Sequence, residues 1–114
     1  METAENKIMQ LIAIYRDAGF DVTIVVQLNN KKYTRYRIGY IRISYGSCRH
    51  WQRSIPFVAD SADTIAVIYL LRGAPDGIVA IGQRENWPEL TAAALDVQHR
   101  IRQMDSPFAD LALE

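Results

Sequence analysis

The sequence of 114 residues contains one cysteine, Cys48, and only two histidines. A single cysteine cannot form a disulfide within the chain, so we expect a reducing, cytoplasmic setting. Neither an H-x-x-x-H nor a C-x-x-C spacing occurs, and those spacings are what common zinc sites use. The sequence therefore predicts no metal site and no other cofactor.

Long apolar runs are also missing. No uninterrupted stretch approaches the roughly 20 residues that a membrane-spanning helix requires. The first ten residues lack the basic and apolar regions of a signal peptide. We therefore expect no membrane association, and the length favours a single domain spanning residues 1–114.

Acidic residues are absent from residues 22–59, although the net charge of the chain is zero. That segment carries seven of the 13 basic residues: Lys31, Lys32, Arg35, Arg37, Arg42, Arg49 and Arg53. The rest of the chain holds all 13 acidic residues and the other six basic ones. The sequence thus predicts a basic surface on one part of the fold and an acidic remainder.

Two helices are predicted, one near each end of the chain. Residues 4–18 place Ile8, Leu11, Ile12 and Tyr15 on one stripe, with Thr3 as the N-cap and Gly19 as the terminating residue. A second helix follows Asn86, which we expect to cap it, and Pro88 in its first turn. Its apolar stripe is formed by Leu90, Ala94, Val97, Ile101 and Met104.

The residues between these helices read as strands. Alternation predicts strands over 21–28 and 33–45, joined by the turn-forming "NNKK". The alternation slips once in the second strand, so we expect a bulge near Gly39 that turns Tyr36, Tyr40, Ile41 and Ile43 toward the core. A short edge strand over 54–59, a central strand over 64–71 and a hairpin partner over 78–82 complete the pattern.

The element order predicts an α+β fold. Specifically, we expect a two-layer sandwich with an antiparallel sheet of four to five strands, and with both terminal helices on one face of the sheet.

The basic strand is the first candidate site. With the bulge, Arg35, Arg37 and Arg42 project from the open face, with Trp51 at the rim and Arg49 and Arg53 nearby. Cations beside aromatic rings on an open sheet are typical of proteins that bind single-stranded nucleic acid. The alternative is a solvated strand whose cations discourage edge-to-edge aggregation.

A pocket and a self-association surface are two further possibilities. Aromatic side chains could line a cavity between sheet and helices, or they could simply fill the core; the candidates are Tyr36, Tyr40, Tyr45, Trp51 and Tyr69. Leu95 lies off the apolar stripe of the last helix, and Phe108 and Leu111 lie in the segment 105–114. These apolar residues predict a homodimer interface, unless that tail packs on its own domain.

Catalysis has weaker support. Cys48 and His50 could make a thiol–imidazole pair, but no acidic residue between 22 and 59 is available to orient the imidazole. The carboxylates of Asp60 and Asp63 lack the opposed environments that acid–base pairs need. We therefore expect a non-catalytic binding protein, a homodimer that uses the basic sheet face or an adjoining loop. An acidic protein or a nucleic acid is its possible partner, and a small-molecule-binding protein or small enzyme is the remaining alternative.

Overall fold

The computed structural model describes residues 3–31, 34–46, 51–58 and 63–105, and it has an α+β fold. Its elements in chain order are α1 (Ala4–Asp17), β1 (Phe20–Lys31), β2 (Thr34–Tyr45), β3 (Trp51–Val58), α2 (Asp63–Arg84) and α3 (Pro88–Asp105). The three strands form one antiparallel sheet in the order β1-β2-β3. The predicted α+β class is therefore confirmed, but this part of the chain contains three strands rather than four or five.

Helix α1 begins and ends where the sequence predicts. The Thr3 hydroxyl accepts a hydrogen bond from the Asn6 backbone N–H at 3.1 Å, which satisfies one of the unpaired amides of the first turn. Gly19 has a φ of 102°, a left-handed conformation that favours glycine and ends the helix. Leu11, Ile14 and Tyr15 are the buried side chains of α1.

The largest departure from the sequence-based expectation is α2. Residues 64–71 and 78–82 are not strands of a hairpin, because both belong to one helix of 22 residues with Pro75 inside it. Proline has no backbone N–H, so the Leu71 carbonyl, four residues earlier, loses its usual helical partner. The Tyr15 hydroxyl donates a hydrogen bond to that carbonyl at 2.5 Å in the buried interior. A tertiary contact thus replaces the bond that Pro75 removes.

Helix α3 carries the predicted apolar stripe: Leu90, Ala94, Val97 and Ile101 are all buried. Its start differs from the prediction. Asn86 does not cap the helix, because it adopts a left-handed φ of 54° in the turn after α2. Trp87 precedes the first helical residue, Pro88, and its carbonyl accepts the Thr91 N–H at 3.0 Å.

One core joins the sheet to the helices. Phe20, Val22, Ile41 and Ile43 supply the buried apolar side chains of the sheet, and all four belong to the same face because of the strand register. Helix α1 packs on β1 and α2 packs on β3, whereas α3 packs chiefly on α2 and also contacts α1. The two terminal helices therefore do not form a simple layer over the sheet, and the predicted two-layer arrangement is not confirmed.

Helix α2 is the most apolar helix of the fold. By length and composition alone, residues Thr64–Arg84 could cross a membrane, with a mean hydropathy of 1.5. A core helix passes the same test, and α2 does contribute Val67, Leu71 and Ile78 to the core. Within the described residues, only one helix has this character.

Candidate binding face of the sheet

The sheet has one face covered by helices and one face on which no helix of the described chain packs. Successive side chains of a strand point to opposite faces, so the even-numbered residues of β2 lie opposite Ile41 and Ile43. We define the open face by nine residues in three cross-strand rows: Asp21, Ser44 and Gln52; Thr23, Arg42 and Ser54; Val25, Tyr40 and Pro56. It is largely polar, and Ser44 is the one member of this set that is buried, at 8% exposure.

The predicted bulge near Gly39 is wrong. The pairing of β1 with β2 runs without interruption from Phe20↔Tyr45 to Lys31↔Thr34, and β2 pairs with β3 in equally regular register. Gly39 has a different role, since a Cβ at this position would lie 2.5 Å from the Phe57 ring on β3. Glycine is therefore explained by the close approach of an aromatic ring and not by an inserted residue.

The regular register changes which residues share a face. Tyr40, expected in the core, lies beside Arg42 on the open face, because the two are separated by two residues in an unbroken strand. Positions 35 and 37 of the strand have the opposite parity from position 42. The side chains of Arg35, Arg37 and Tyr36 lie outside the described residues.

Arg42 and Tyr40 form the centre of the open face. The guanidinium carbon of Arg42 lies 5.5 Å from the centroid of the Tyr40 ring, which is cation–π geometry. An Nη of Arg42 also donates to the Tyr40 hydroxyl at a long 3.4 Å. These contacts hold the cation of a half-buried side chain in a defined position over the strand.

One atom of this arginine is left without a partner. The Nε of Arg42 is buried and makes no hydrogen bond within the described part of the chain. Its cross-strand neighbours in the register are Thr23 and Ser54, which carry neutral hydroxyl side chains. The nearest carboxylate in the register, Asp21, lies in the next row opposite Ser44. The cation at the centre of the face therefore has no paired acid in its own row.

Other predicted site residues lie elsewhere. Trp51 belongs to the covered face, where its ring centroid lies 6.4 Å from that of Phe20. Arg53 also departs from the open face, since its guanidinium lies beside Gly77 of α2. Arg49 is outside the described residues. The structure thus separates Arg42 from Trp51 and Arg53, which the sequence-based hypothesis grouped together.

The described tyrosines of the predicted pocket do not converge. Tyr40 lies on the open face, whereas the Tyr45 ring lies on the covered face, 5.0 Å from Phe20 and 6.4 Å from Trp87. Tyr69 is 78% exposed on α2. These three rings point into three different environments and do not line one cavity.

The remaining candidates concern catalysis, metals and self-association. Cys48, His50 and Asp60 lie outside the described residues, as do Phe108 and Leu111, and the side chain of Asp63 is also not described. Leu95 is 44% exposed, in a depression between the α2–α3 turn and α3 that Trp87 also lines. Within the described ranges, no group of three or more His, Cys, Asp or Glu side chains could hold a metal ion.

The pairing of Tyr40 with Arg42 is the feature that the sequence analysis missed. A signal for it exists, because an i, i+2 pair of ring and guanidinium lies on one face of any regular strand. The apparent slip in the alternation hides this pair, because it predicts Tyr40 as a core residue.

Comparisons with known proteins add no relative. No protein-family model matches the chain, and no curated protein or solved structure is significantly similar to it.

Proposed function

We propose that this chain is a non-catalytic binding protein that engages an anionic partner through the open face of its sheet. The observation that carries the proposal is the central Arg42, held against Tyr40 on a face without a covering helix. A cation that is already positioned loses little side-chain freedom when it binds an anion. The absence of a carboxylate in its cross-strand row also leaves its charge uncompensated there.

The anionic partner is an acidic protein surface or, as the alternative function, a nucleic acid. The position of Tyr40 favours the nucleic acid. A ring next to a guanidinium on an open sheet provides one platform for a base and one contact for a phosphate. The alternation of the sequence alone predicts Tyr40 in the core, where its ring could not serve as such a platform. Small-molecule binding and a small enzyme have no comparable support, since the described tyrosines are dispersed.

The first experiment measures binding to two anionic probes by fluorescence polarisation. The probes are a labelled single-stranded oligonucleotide and a labelled polyglutamate peptide, tested with the full chain across a salt series. We expect Arg42→Ala to weaken binding about tenfold. The control is Arg84→Ala, which removes the same charge from the exposed end of α2 and is expected to change binding less than about twofold.

Variants of Tyr40 separate the two kinds of partner. Stacking on a base predicts that Tyr40→Phe retains binding to the oligonucleotide and that Tyr40→Ala loses about fivefold or more. For a peptide partner held by charge, Tyr40→Ala removes only the support of the Arg42 guanidinium, so we expect a loss smaller than about fivefold. The proposal is contradicted if neither probe binds, or if Arg42→Ala and Arg84→Ala behave alike.

A further inference from the structure

Helix α2 is unusually apolar, yet it lies only partly within the core. Only 33% of its apolar window is buried, and a helix that is apolar on most sides is normally enclosed. Ile65 is 68% exposed and Tyr69 is 78% exposed. Exposed apolar side chains in one row on a helix are typical of a contact with another surface.

The exposed residues form one stripe along α2, which we call the α2 stripe. Its members recur three or four residues apart, as on one side of a helix: Ile65, Tyr69, Arg72, Asp76, Ala80 and Gln83. Gly73 lies beside the stripe, and a Cβ there would meet no atom within 4 Å. Glycine inside a helix costs about 1 kcal/mol relative to alanine, and packing among the described residues does not require it at this position.

The α2 stripe is complementary to itself when it is reversed. Arg72 and Asp76 are equally distant from position 74 along the helix, so a two-fold axis near that position places each Arg72 opposite the other copy's Asp76. The same operation sets the large Tyr69 opposite position 79, next to the small Ala80. Gly73, next to the axis, lets the two backbones approach closely. An isologous interface needs a surface that is complementary to itself, and the opposite charges and the small residues near the axis supply that complementarity.

We propose that a second copy of this chain covers the α2 stripe, with the two α2 helices antiparallel across a two-fold axis. The proposal is independent of the function of the sheet, because the stripe and the open face belong to different elements. In this dimer the Asp76 carboxylate, which accepts a hydrogen bond from Gln98 at 2.5 Å, receives the opposing Arg72 as a further partner. Both open faces remain available to partners, so the assembly is bivalent.

Charge reversal tests the pairing directly. In the Arg72→Asp variant, positions 72 and 76 are both acidic and face the same two acidic positions of the partner. In the Asp76→Arg variant, both positions are cationic and face two cations. We expect each variant alone to dimerise about tenfold more weakly than the parent. An equimolar mixture of the two variants restores the attraction, so we expect a heterodimer with nearly the parent affinity. The double variant R72D/D76R is expected to dimerise like the parent.

Sedimentation equilibrium over a dilution series is the measurement, with circular dichroism confirming that each variant is folded. The parent is expected to reach twice the 13.0 kDa chain mass. Asp96→Arg, a charge reversal on the exposed side of α3, is the matched control and is expected to leave the dimer unchanged. A heterodimer in the mixture cannot arise from a change within one chain, so this arm separates interface effects from folding effects.

Three outcomes would overturn the proposal. The parent could remain monomeric at all concentrations. It could dimerise with an affinity that neither charge reversal changes, which would place the interface elsewhere. It could instead co-sediment with phosphatidylcholine vesicles in a manner that depends on Ile65 and Tyr69, in which case a lipid surface and not a second copy covers the stripe.

Discussion

Helices α2 and α3 lie against each other, but their stability depends on different kinds of contact. Helix α3 presents one apolar stripe and a polar remainder, so its sequence alone specifies which side is buried. Helix α2 is apolar around most of its circumference, contains Pro75, and relies on a hydroxyl from α1 to satisfy the Leu71 carbonyl. The sequence of α3 thus specifies its buried side, whereas α2 depends on contacts with neighbouring elements.

The largest effect is expected from the stripe of α3. Leu90 is fully buried, and Leu90→Ala leaves a cavity that should lower the free energy of unfolding by about 2–5 kcal/mol. Chemical denaturation measures this change. Leu95→Ala, on the exposed side of the same helix, is the control and should cost less than about 1 kcal/mol. Equal losses for the two variants would contradict the assignment of the buried side.

A smaller loss is expected when the contact between α1 and α2 is removed. Tyr15→Phe keeps the ring in the core but deletes the donor to the Leu71 carbonyl, which Pro75 leaves without a helical partner. An unsatisfied buried acceptor costs about 1–3 kcal/mol, again measurable by chemical denaturation. The double variant Tyr15→Phe with Pro75→Ala sharpens the test, since alanine restores the N–H at position 75. The loss caused by Tyr15→Phe should shrink in the Pro75→Ala background.

Alkaline pH tests the contribution of the Tyr15 hydroxyl without a substitution. Burial raises the pKa of Tyr15 above its ordinary value, and the nearby Asp76 carboxylate raises it further. A raised pKa means that this stability is fully present below the unfolded value of about 10, and it is lost at about 1.4 kcal/mol per pH unit above it. Unfolding midpoints measured from pH 9 upward should therefore fall less steeply for Tyr15→Phe. Identical slopes for the two proteins would contradict the buried, neutral hydroxyl.

The smallest effect concerns the exposed side of α2. Gly73→Ala should stabilise the monomer by about 0.5–1 kcal/mol, because alanine favours the helix and its Cβ meets no atom of the described residues within 4 Å. Thermal unfolding at low protein concentration measures it. Gly82→Ala is the matched comparison in the same helix, where the added Cβ lies 3.1 Å from the Thr91 backbone nitrogen of α3. That variant should be destabilised, and a gain at both glycines would contradict the close approach of α2 and α3.

Much of the fold could be predicted because its signals are local. The Thr3 cap, the left-handed Gly19, the β1–β2 hairpin and the stripe of α3 each depend on residues that are near one another in sequence. The wrong prediction of strands over 64–71 and 78–82 has a different cause. The glycines and Pro75 in "RGAPDG" have the composition of a turn, and the residues on either side are apolar enough to be strands.

The candidate site was predicted only in part for a similar reason. The basic segment predicts Arg42 as a site residue. Only the strand register shows that Arg42 does not share a face with Trp51 and Arg53. Strand faces depend on every intervening residue, so one supposed insertion moved Tyr40 to the wrong side of the sheet. The pairing with β1 and β3 fixes the parity that the alternation of β2 left ambiguous.

The sequence by itself determined the α+β class, the ends of α1, the apolar stripe of α3 and the basic character of the middle of the chain. These features follow from propensity, capping and periodicity, which act over a few residues. Only the tertiary structure decided that residues 63–84 are helical and that Tyr40 and Arg42 share the open face. Both outcomes depend on partners distant in the chain: the hydroxyl of Tyr15, which completes a proline-containing helix, and the neighbouring strands, which hold β2 in register.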